Sequence, residues 1–82
     1  MNVYILTLYD PAAAFGYTEA FYSLEGAMRY AGVKGWKKRG STYTWNDGET
    51  TMKVHEKHGL ISWKQNSEVY KIRRRRVRGR KP

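Results

Sequence analysis

The stretch NVYILTLY, residues 2–9, decides the fold more than any other part of this sequence. It consists of β-branched, aromatic and aliphatic residues almost throughout, which favours a central strand with both faces buried. Asp10-Pro11 breaks the pattern, since proline cannot donate a hydrogen bond to a strand ladder. After an apolar loop, residues 18–22 (TEAFY) predict a short second strand. The chain therefore opens as two strands of a sheet.

One helix is predicted next. Ser23 is a good N-cap, because its hydroxyl can accept a hydrogen bond from an N–H of the first turn. Apolar residues then recur at the i, i+3, i+4 and i+7 spacing of a single buried helix face: Leu24, Ala27, Met28 and Ala31. Gly32 suits the left-handed conformation that ends many helices, and Val33 can supply the apolar contact that accompanies it. We expect a short helix with Glu25 and Arg29 paired on its exposed side.

The second half of the chain is predicted to form β-structure. Two pairs of strands are predicted around turns rich in asparagine, aspartate and glycine, which tolerate the left-handed backbone conformation. They lie at residues 43–45 with 50–55, and at residues 60–65 with 68–77. The order β-β-α-β-β-β-β predicts an α+β fold, a small and mostly antiparallel sheet with one helix on one face.

The length and composition limit what this chain can be. With 82 residues there is room for one thin core and little else. Without cysteine there is no disulfide, thiolate nucleophile or Cys-based zinc site, which is consistent with a reducing cytoplasm. No stretch approaches the roughly twenty apolar residues of a membrane span, and the first residues lack the features of a signal peptide. We expect a soluble, cytoplasmic protein with no membrane contact and no cofactor.

The net charge of +9 is distributed unevenly. Residues 71–82 contain eight Lys or Arg and no acid, whereas residues 1–70 contain the other eight against all seven Asp and Glu. This asymmetry predicts a nearly neutral α+β domain, residues 1–72, and an Arg-rich C-terminal arm, residues 73–82. Regular strand pairing is expected to end near Arg73, because unpaired arginines are costly to bury.

The basic C-terminal segment is the strongest functional signal. Guanidinium groups are permanently charged and grip phosphate oxygens in bidentate geometry, which predicts binding to DNA or RNA. The alternative is a solvated tail that keeps the protein soluble. An anionic membrane surface fits less well, because no amphipathic apolar face accompanies the charges. The candidate binding residues are Lys71, Arg73, Arg74, Arg75, Arg76, Arg78, Arg80 and Lys81.

A second basic segment lies between the helix and the first hairpin, where we expect a loop bracketed by glycines. Its candidate binding residues are Lys34, Trp36, Lys37, Lys38 and Arg39. Trp36 can stack on a base while its neighbours contact phosphates, an interaction of about 1–3 kcal/mol per stacked base. Alternatively, Trp36 turns inward and anchors the segment, because tryptophan is highly buried on average.

Catalytic and metal-binding patterns are not found in the sequence. The tetrapeptide His55-Glu56-Lys57-His58 lacks the spacing of a zinc-binding HExxH motif, and at a strand end its two histidines point to opposite faces. The carboxylates are scattered, and Ser23 already has a capping role. We expect no metal site, no catalytic residues and no enzymatic activity.

An opening VYIL strand, a second strand ending in FYSLE, Ala27 in the helix and a final VYKI strand occur in this order. The arrangement resembles the small orphan α+β accessory proteins of bacteriophages. The resemblance covers residues 2–31 and 69–72, and it implies a protein that binds a host or phage component without an activity of its own. The Arg-rich tail departs from that pattern, in which the chain tends to end acidic.

Two functions are therefore expected as alternatives. The first is a small basic, non-catalytic protein that binds DNA or RNA through backbone phosphates, with weak sequence preference. The second is a phage-type accessory protein that binds and modulates a host protein or a protein–nucleic-acid complex. A continuous cationic surface joining residues 34–39 to the tail would favour the first, and an exposed apolar patch on the sheet would favour the second.

Overall fold

Strands and one helix occupy most of residues 1–77, the part of the chain that the computed structural model describes. In chain order the elements are β1 (Asn2–Asp10), β2 (Phe15–Phe21), α1 (Leu24–Tyr30), β3 (Lys37–Arg39), β4 (Thr42–Asn46), β5 (Thr51–His55), β6 (Leu60–Gln65) and β7 (Glu68–Arg76). All strand pairs are antiparallel. The predicted α+β class is confirmed in outline, with strands dominating.

Two sheets replace the single sheet that the sequence predicts. Sheet A has the strand order β2-β1-β7-β6, and sheet B has the order β3-β4-β5. The helix has seven residues and is therefore about 10 Å long, too short to cover four strands. The inner side of sheet B covers much of the rest of sheet A. Sheet B includes β3, which lies in the basic segment that the sequence predicts to be a loop.

β1 is the central strand that the sequence predicts, but one of its faces remains accessible. Leu6 and Leu8 lie on the inner side, where their partners on β7 are Ile72 and Tyr70, and all four are buried. Ile5, on the opposite side, stays partly exposed. The prediction that both faces are buried is wrong because α1 and sheet B both pack on the same side of sheet A.

The core lies between α1 and the inner sides of the two sheets. Trp45 of β4 contacts Trp63 of β6 edge to face, with 5.1 Å between the ring centroids. Trp63 stacks on Tyr70 of β7 at 5.0 Å. Ala27 and Met28 of α1 are fully buried in the same cluster. Because aromatic rings bury a large apolar area each, this cluster holds the two sheets together as one unit.

Both ends of α1 are closed as the sequence predicts. Ser23 Oγ accepts a hydrogen bond from the Gly26 N–H at 3.0 Å. At the other end Gly32 has a φ of 87°, and the Val33 N–H donates to Met28 O at 2.9 Å, the bonding pattern of a Schellman motif. These caps fix where the helix begins and ends. No helix in the described part of the chain has the length and apolar character needed to cross a membrane.

β7 continues through Arg76, beyond the point near Arg73 where the sequence predicts that strand pairing ends. The backbone of residues 74–76 pairs with that of residues 2–4 in β1. The first part of the predicted arm is therefore a strand of sheet A. This pairing does not carry the cost of burying unpaired arginines. The four arginines of residues 73–76 remain exposed, because they lie beyond the edge of the core. Residues 78–82 of the predicted arm lie outside the described residues.

Candidate nucleic-acid interface

Alternate residues of each strand define an outer face of sheet A, on the side away from α1 and sheet B. By register this face consists of Val3, Ile5, Thr7, Tyr9, Gly16, Thr18, Ala20, Leu60, Ser62, Lys64, Val69, Lys71, Arg73 and Arg75. These residues include lysine and arginine but no Asp or Glu. The carboxylates within the strands of sheet A are all on the inner side: Asp10, Glu19 and Glu68. Negative charge within these strands is therefore confined to the inner side of the sheet.

Lys71, Arg73 and Arg75 form a row of exposed cations along β7. Alternate residues of a strand lie about 6.6 Å apart, so the three charges follow one another along a line. Ile5 and Leu60 flank Arg73 in the neighbouring strands and give the row an apolar floor. A shallow depression of about 380 Å³ lies here, lined by Ile5, Thr7, Leu60, Lys71, Arg73 and Arg75. Its open shape leaves the cations accessible to an extended polyanion.

Arg74 and Arg76 lie on the inner side of sheet A, opposite to this row. Arg74 Nη1 is 3.3 Å from Glu56 Oε2, and the two side chains are 45% and 12% exposed. Arg76 lies at the end of the strand, opposite Asn2. The arginine run of the sequence is therefore not one cluster, because its alternate members face different sides and Arg74 is paired with a carboxylate.

Glu56 is also bound by a buried tyrosine of sheet B. The Tyr43 hydroxyl donates to Glu56 Oε1 at 2.9 Å, and Tyr43 is only 1% exposed. Burial is the main cause that raises the pKa of Tyr43 to about 12, and the hydrogen bond to Glu56 adds to it, while the charge of Arg74 acts in the opposite direction. Tyr43, Glu56 and Arg74 thus form a polar chain that connects sheet B to sheet A.

Several other carboxylates have structural partners of their own. The Tyr70 hydroxyl donates to Glu68 Oε1 at 2.7 Å, and burial followed by this hydrogen bond raises the pKa of Tyr70 to about 12. Asp10 accepts the Ala12 N–H in the turn after β1. Asp47 accepts N–H bonds in the β4–β5 turn, and these bonds lower its pKa. These acids serve the turns and the core, so they do not neutralise the row of cations on β7.

The basic segment at residues 34–39 sends part of its side chains inward. Trp36 is half-buried against the core, with its ring centroid 5.7 Å from that of Tyr43, so of the two expected orientations it adopts the anchoring one. Lys38 Nζ lies 5.6 Å from the centroid of the Tyr43 ring, in cation–π contact. Both residues therefore help to attach β3 to the domain.

The other cations of this segment are exposed. Lys37 and Arg39 belong to the outer face of sheet B, which consists by register of Lys37, Arg39, Thr42, Thr44, Asn46, Thr51, Lys53 and His55. Lys34 lies between α1 and β3. Since the inner sides of the two sheets share one core, the two outer faces point away from each other. Among the described cations, Lys38 and Arg74 line one shared cleft, which Glu56 also lines.

Lys53, Lys64 and Tyr9 lie on these faces but were not among the candidates that the sequence singled out. Tyr9 is 50% exposed, and it lines a second depression together with Thr7, Val69 and Lys71. The signal for both lysines is their alternation with buried or partly buried neighbours, as in Met52-Lys53-Val54. That alternation shows on which side of its sheet a residue lies, but it does not show which strands are adjacent to it.

The histidines are arranged as ordinary surface residues. His55 Nδ1 lies 2.9 Å from Thr42 Oγ1, and His58 occupies the two-residue turn before β6 with a φ of 52°. Among residues 1–77, no three His, Cys, Asp or Glu side chains are grouped so that they could hold a metal ion.

The candidate interface therefore lies on the outer face of sheet A, where Lys71, Arg73 and Arg75 form their row. The remaining candidate cations, Arg78, Arg80 and Lys81, lie outside the described residues. No family model, no curated protein and no solved structure matches this chain. The choice of ligand therefore rests on the chemistry of the exposed side chains.

Proposed function

We propose that this chain is a small, non-catalytic nucleic-acid-binding protein that contacts backbone phosphates with the outer face of sheet A and the basic residues that follow it. One observation carries the proposal: Lys71, Arg73 and Arg75 are exposed in a row on a face whose described residues include no carboxylate. Like charges on neighbouring positions of a strand repel one another, and a bound polyanion removes that repulsion.

The chemistry of the row supports phosphates as the ligand. Arginine can hold two phosphate oxygens at once through its planar guanidinium group, and lysine adds a mobile point charge. Contacts of this kind position a protein on nucleic acid but do not read base sequence. Ile5 and Tyr9 beside the row offer apolar and aromatic surface for sugars or unpaired bases. We therefore expect binding with weak sequence preference.

A salt titration tests the proposal. Each phosphate contact releases condensed counterions, so with about five to seven cations engaged, log K should fall with log salt at a slope of roughly −4.5 to −6.3 on duplex DNA. Binding should be measured on two unrelated duplexes and one single strand, and the two duplexes should give similar slopes. No binding at low salt, or a slope near zero, would contradict the proposal.

A second candidate function is supported by the apolar part of the same face. Tyr9 is half-exposed and lies opposite partly buried Val69 on the outer face of sheet A. Such a surface suits an accessory protein that binds a host protein, as the resemblance to phage proteins implies. Purification of the tagged chain from its host, with and without nuclease, separates the two functions. A protein partner that survives nuclease and is lost with Tyr9→Ala favours the second.

A further inference from the structure

The outer face of sheet B has an ordered pattern of cations and hydroxyl groups. The registers place Thr44 between Lys37 and Lys53, and they place Thr42 between Arg39 and His55. Each row therefore has a hydroxyl on the middle strand and nitrogen-bearing side chains on both sides of it. Neighbouring strands lie about 4.8 Å apart, so the members of a row are close enough to contact a single extended ligand.

The strands of sheet B contain no Asp or Glu, and Asp47 and Glu49 lie beyond them in the β4–β5 turn. A shallow depression of about 500 Å³ occupies part of the face, and its lining residues are Lys37, Lys38, Arg39, Thr42, Thr44 and Lys53. Lysine and arginine beside threonine hydroxyls are the groups that proteins use to contact phosphate oxygens. The chemistry of this depression therefore matches that of the row on β7.

The position of this face prevents it from simply extending the first one. Trp45 of sheet B and Trp63 of sheet A meet in the core at 5.1 Å, so the two sheets are packed with their inner sides together. Packed sheets lie about 10 Å apart, and their outer faces point in opposite directions. A straight segment of nucleic acid lying on one outer face therefore does not reach the other.

We propose that the outer face of sheet B is a second phosphate-binding site, and that the protein bridges two nucleic-acid segments, one on each sheet. This inference rests on the proposed function, because it assumes that the outer face of sheet A holds the first segment. It adds a second binding face, and it predicts that the protein joins two nucleic-acid segments. A protein with a single binding face would bind one segment without joining it to another.

A co-capture experiment tests bridging. One biotinylated duplex is immobilised, a second duplex of unrelated sequence carries a fluorophore, and the protein is added at low salt. The full chain is expected to retain the fluorescent duplex. The double variant Lys37→Gln/Lys53→Gln should lower the retained fluorescence about fivefold or more, since two phosphate contacts are lost, while binding to one duplex falls much less.

A charge change elsewhere is the control. Arg29→Glu lowers the net charge by the same two units at an exposed position on α1, outside both outer faces, and it should leave bridging within about twofold of the parent. All three positions are exposed, so both variants should fold like the parent chain.

The possible failures are distinguishable. If the parent binds no duplex at low salt, the proposed function itself fails. If it binds a duplex but retains no second one, the inference is overturned and the proposed function stands. Bridging that survives the substitutions on sheet B would not depend on that face, and it would also overturn the inference.

Discussion

Arg74 of β7 and Glu56, the residue after β5, connect the two sheets, with 3.3 Å between Nη1 and Oε2. The same carboxylate accepts the hydroxyl of Tyr43 at 2.9 Å. This pairing separates Arg74 from its sequence neighbours Arg73 and Arg75, which lie on the opposite side of the sheet. Arginines that are adjacent in the sequence therefore have different roles, and substitution can tell these roles apart.

Replacing Arg74 should affect stability more than binding. Arg74→Gln leaves Glu56 without its cationic partner, and because the pair is partly exposed we expect a loss of about 1 kcal/mol or less. Chemical denaturation measures the loss, and a salt titration on duplex DNA should show a slope close to that of the parent. A slope as shallow as that of the Arg73 and Arg75 variants would show that Arg74 contacts phosphates as they do.

Replacing Arg73 and Arg75 should have the opposite effect. Arg73→Gln/Arg75→Gln removes two exposed cations, so the salt slope should become shallower by about two units, with similar weakening on unrelated duplexes. The matched control, Arg29→Glu, lowers the net charge by the same two units at an exposed position on α1, outside both outer faces. If both variants change the slope equally, the effect comes from total charge and the assigned face is wrong.

The helix offers a test of the core. Met28 is fully buried, whereas Arg29 is exposed and lies 3.5 Å from Glu25. Met28→Asp buries an unpaired carboxylate and should cost about 4 kcal/mol or more, enough to unfold a domain of this size. Arg29→Asp loses one exposed ion pair and should cost about 1 kcal/mol or less. Thermal melts compare them, and equal stability would mean that the helix is packed on another face.

Tyr43 gives the domain a stability that depends on alkaline pH. The pKa of Tyr43 is raised to about 12 in the folded protein, whereas a tyrosine in the unfolded chain ionises near pH 10. Between these two values Tyr43 is neutral in the folded state and ionised in the unfolded state. Stability from this group is therefore fully present below about pH 10 and is lost as pH rises toward 12. Tyr43→Phe should lose less stability over this interval than the parent does.

The control for this pH dependence is Tyr22, which is 83% exposed. Tyr22→Phe should leave the dependence unchanged, whereas Tyr43→Phe should also lower stability at neutral pH by about 1 kcal/mol, because Glu56 loses a donor. Denaturation curves at several pH values measure both effects. The same slope of stability against pH in all three proteins would rule out a buried Tyr43.

Truncation tests whether the end of β7 belongs to the sheet. A chain that ends at Val77 keeps the pairing of residues 74–76 with residues 2–4, and a chain that ends at Arg73 loses it together with the Arg74–Glu56 pair. The shorter chain should melt several degrees lower than the longer one, at about 4–8 °C per kcal/mol lost in a domain of this size. Identical melting of the two chains would contradict the observed length of β7.

Local signals explain the parts of the fold that the sequence predicts well. Ser23 and Gly32 mark the two ends of α1 because capping depends on residues within one or two turns of each end. The strand at Leu60–Gln65 follows a two-residue turn whose His58 and Gly59 both have positive φ. Features of this kind are determined by neighbours in the chain.

The second sheet and the divided interface depend on contacts between distant residues. β3 forms because Lys37–Arg39 pairs with the strand Thr42–Asn46. The basic segment has no alternating apolar pattern that would predict this strand. The arginines separate onto two faces because β7 continues along β1, and Glu56 provides a partner for the one that turns inward. The sequence reveals how much charge the chain carries, but only the register shows where that charge lies.

The pairing of the first strand with the last has a consequence for how the chain reaches its folded state. β1 and β2 form a local hairpin, but the other edge of β1 has no partner until β7 becomes available, and pairing between such distant segments is slow. Throughout that interval the apolar stretch NVYILTLY presents an open edge to which other chains can attach. The strand that completes the sheet is rich in arginine, and charge next to an aggregation-prone strand discourages the stacking of identical copies. Those arginines lie beside β1 only after β7 has paired, so the chain is most open to association with other copies before its last strand is in place.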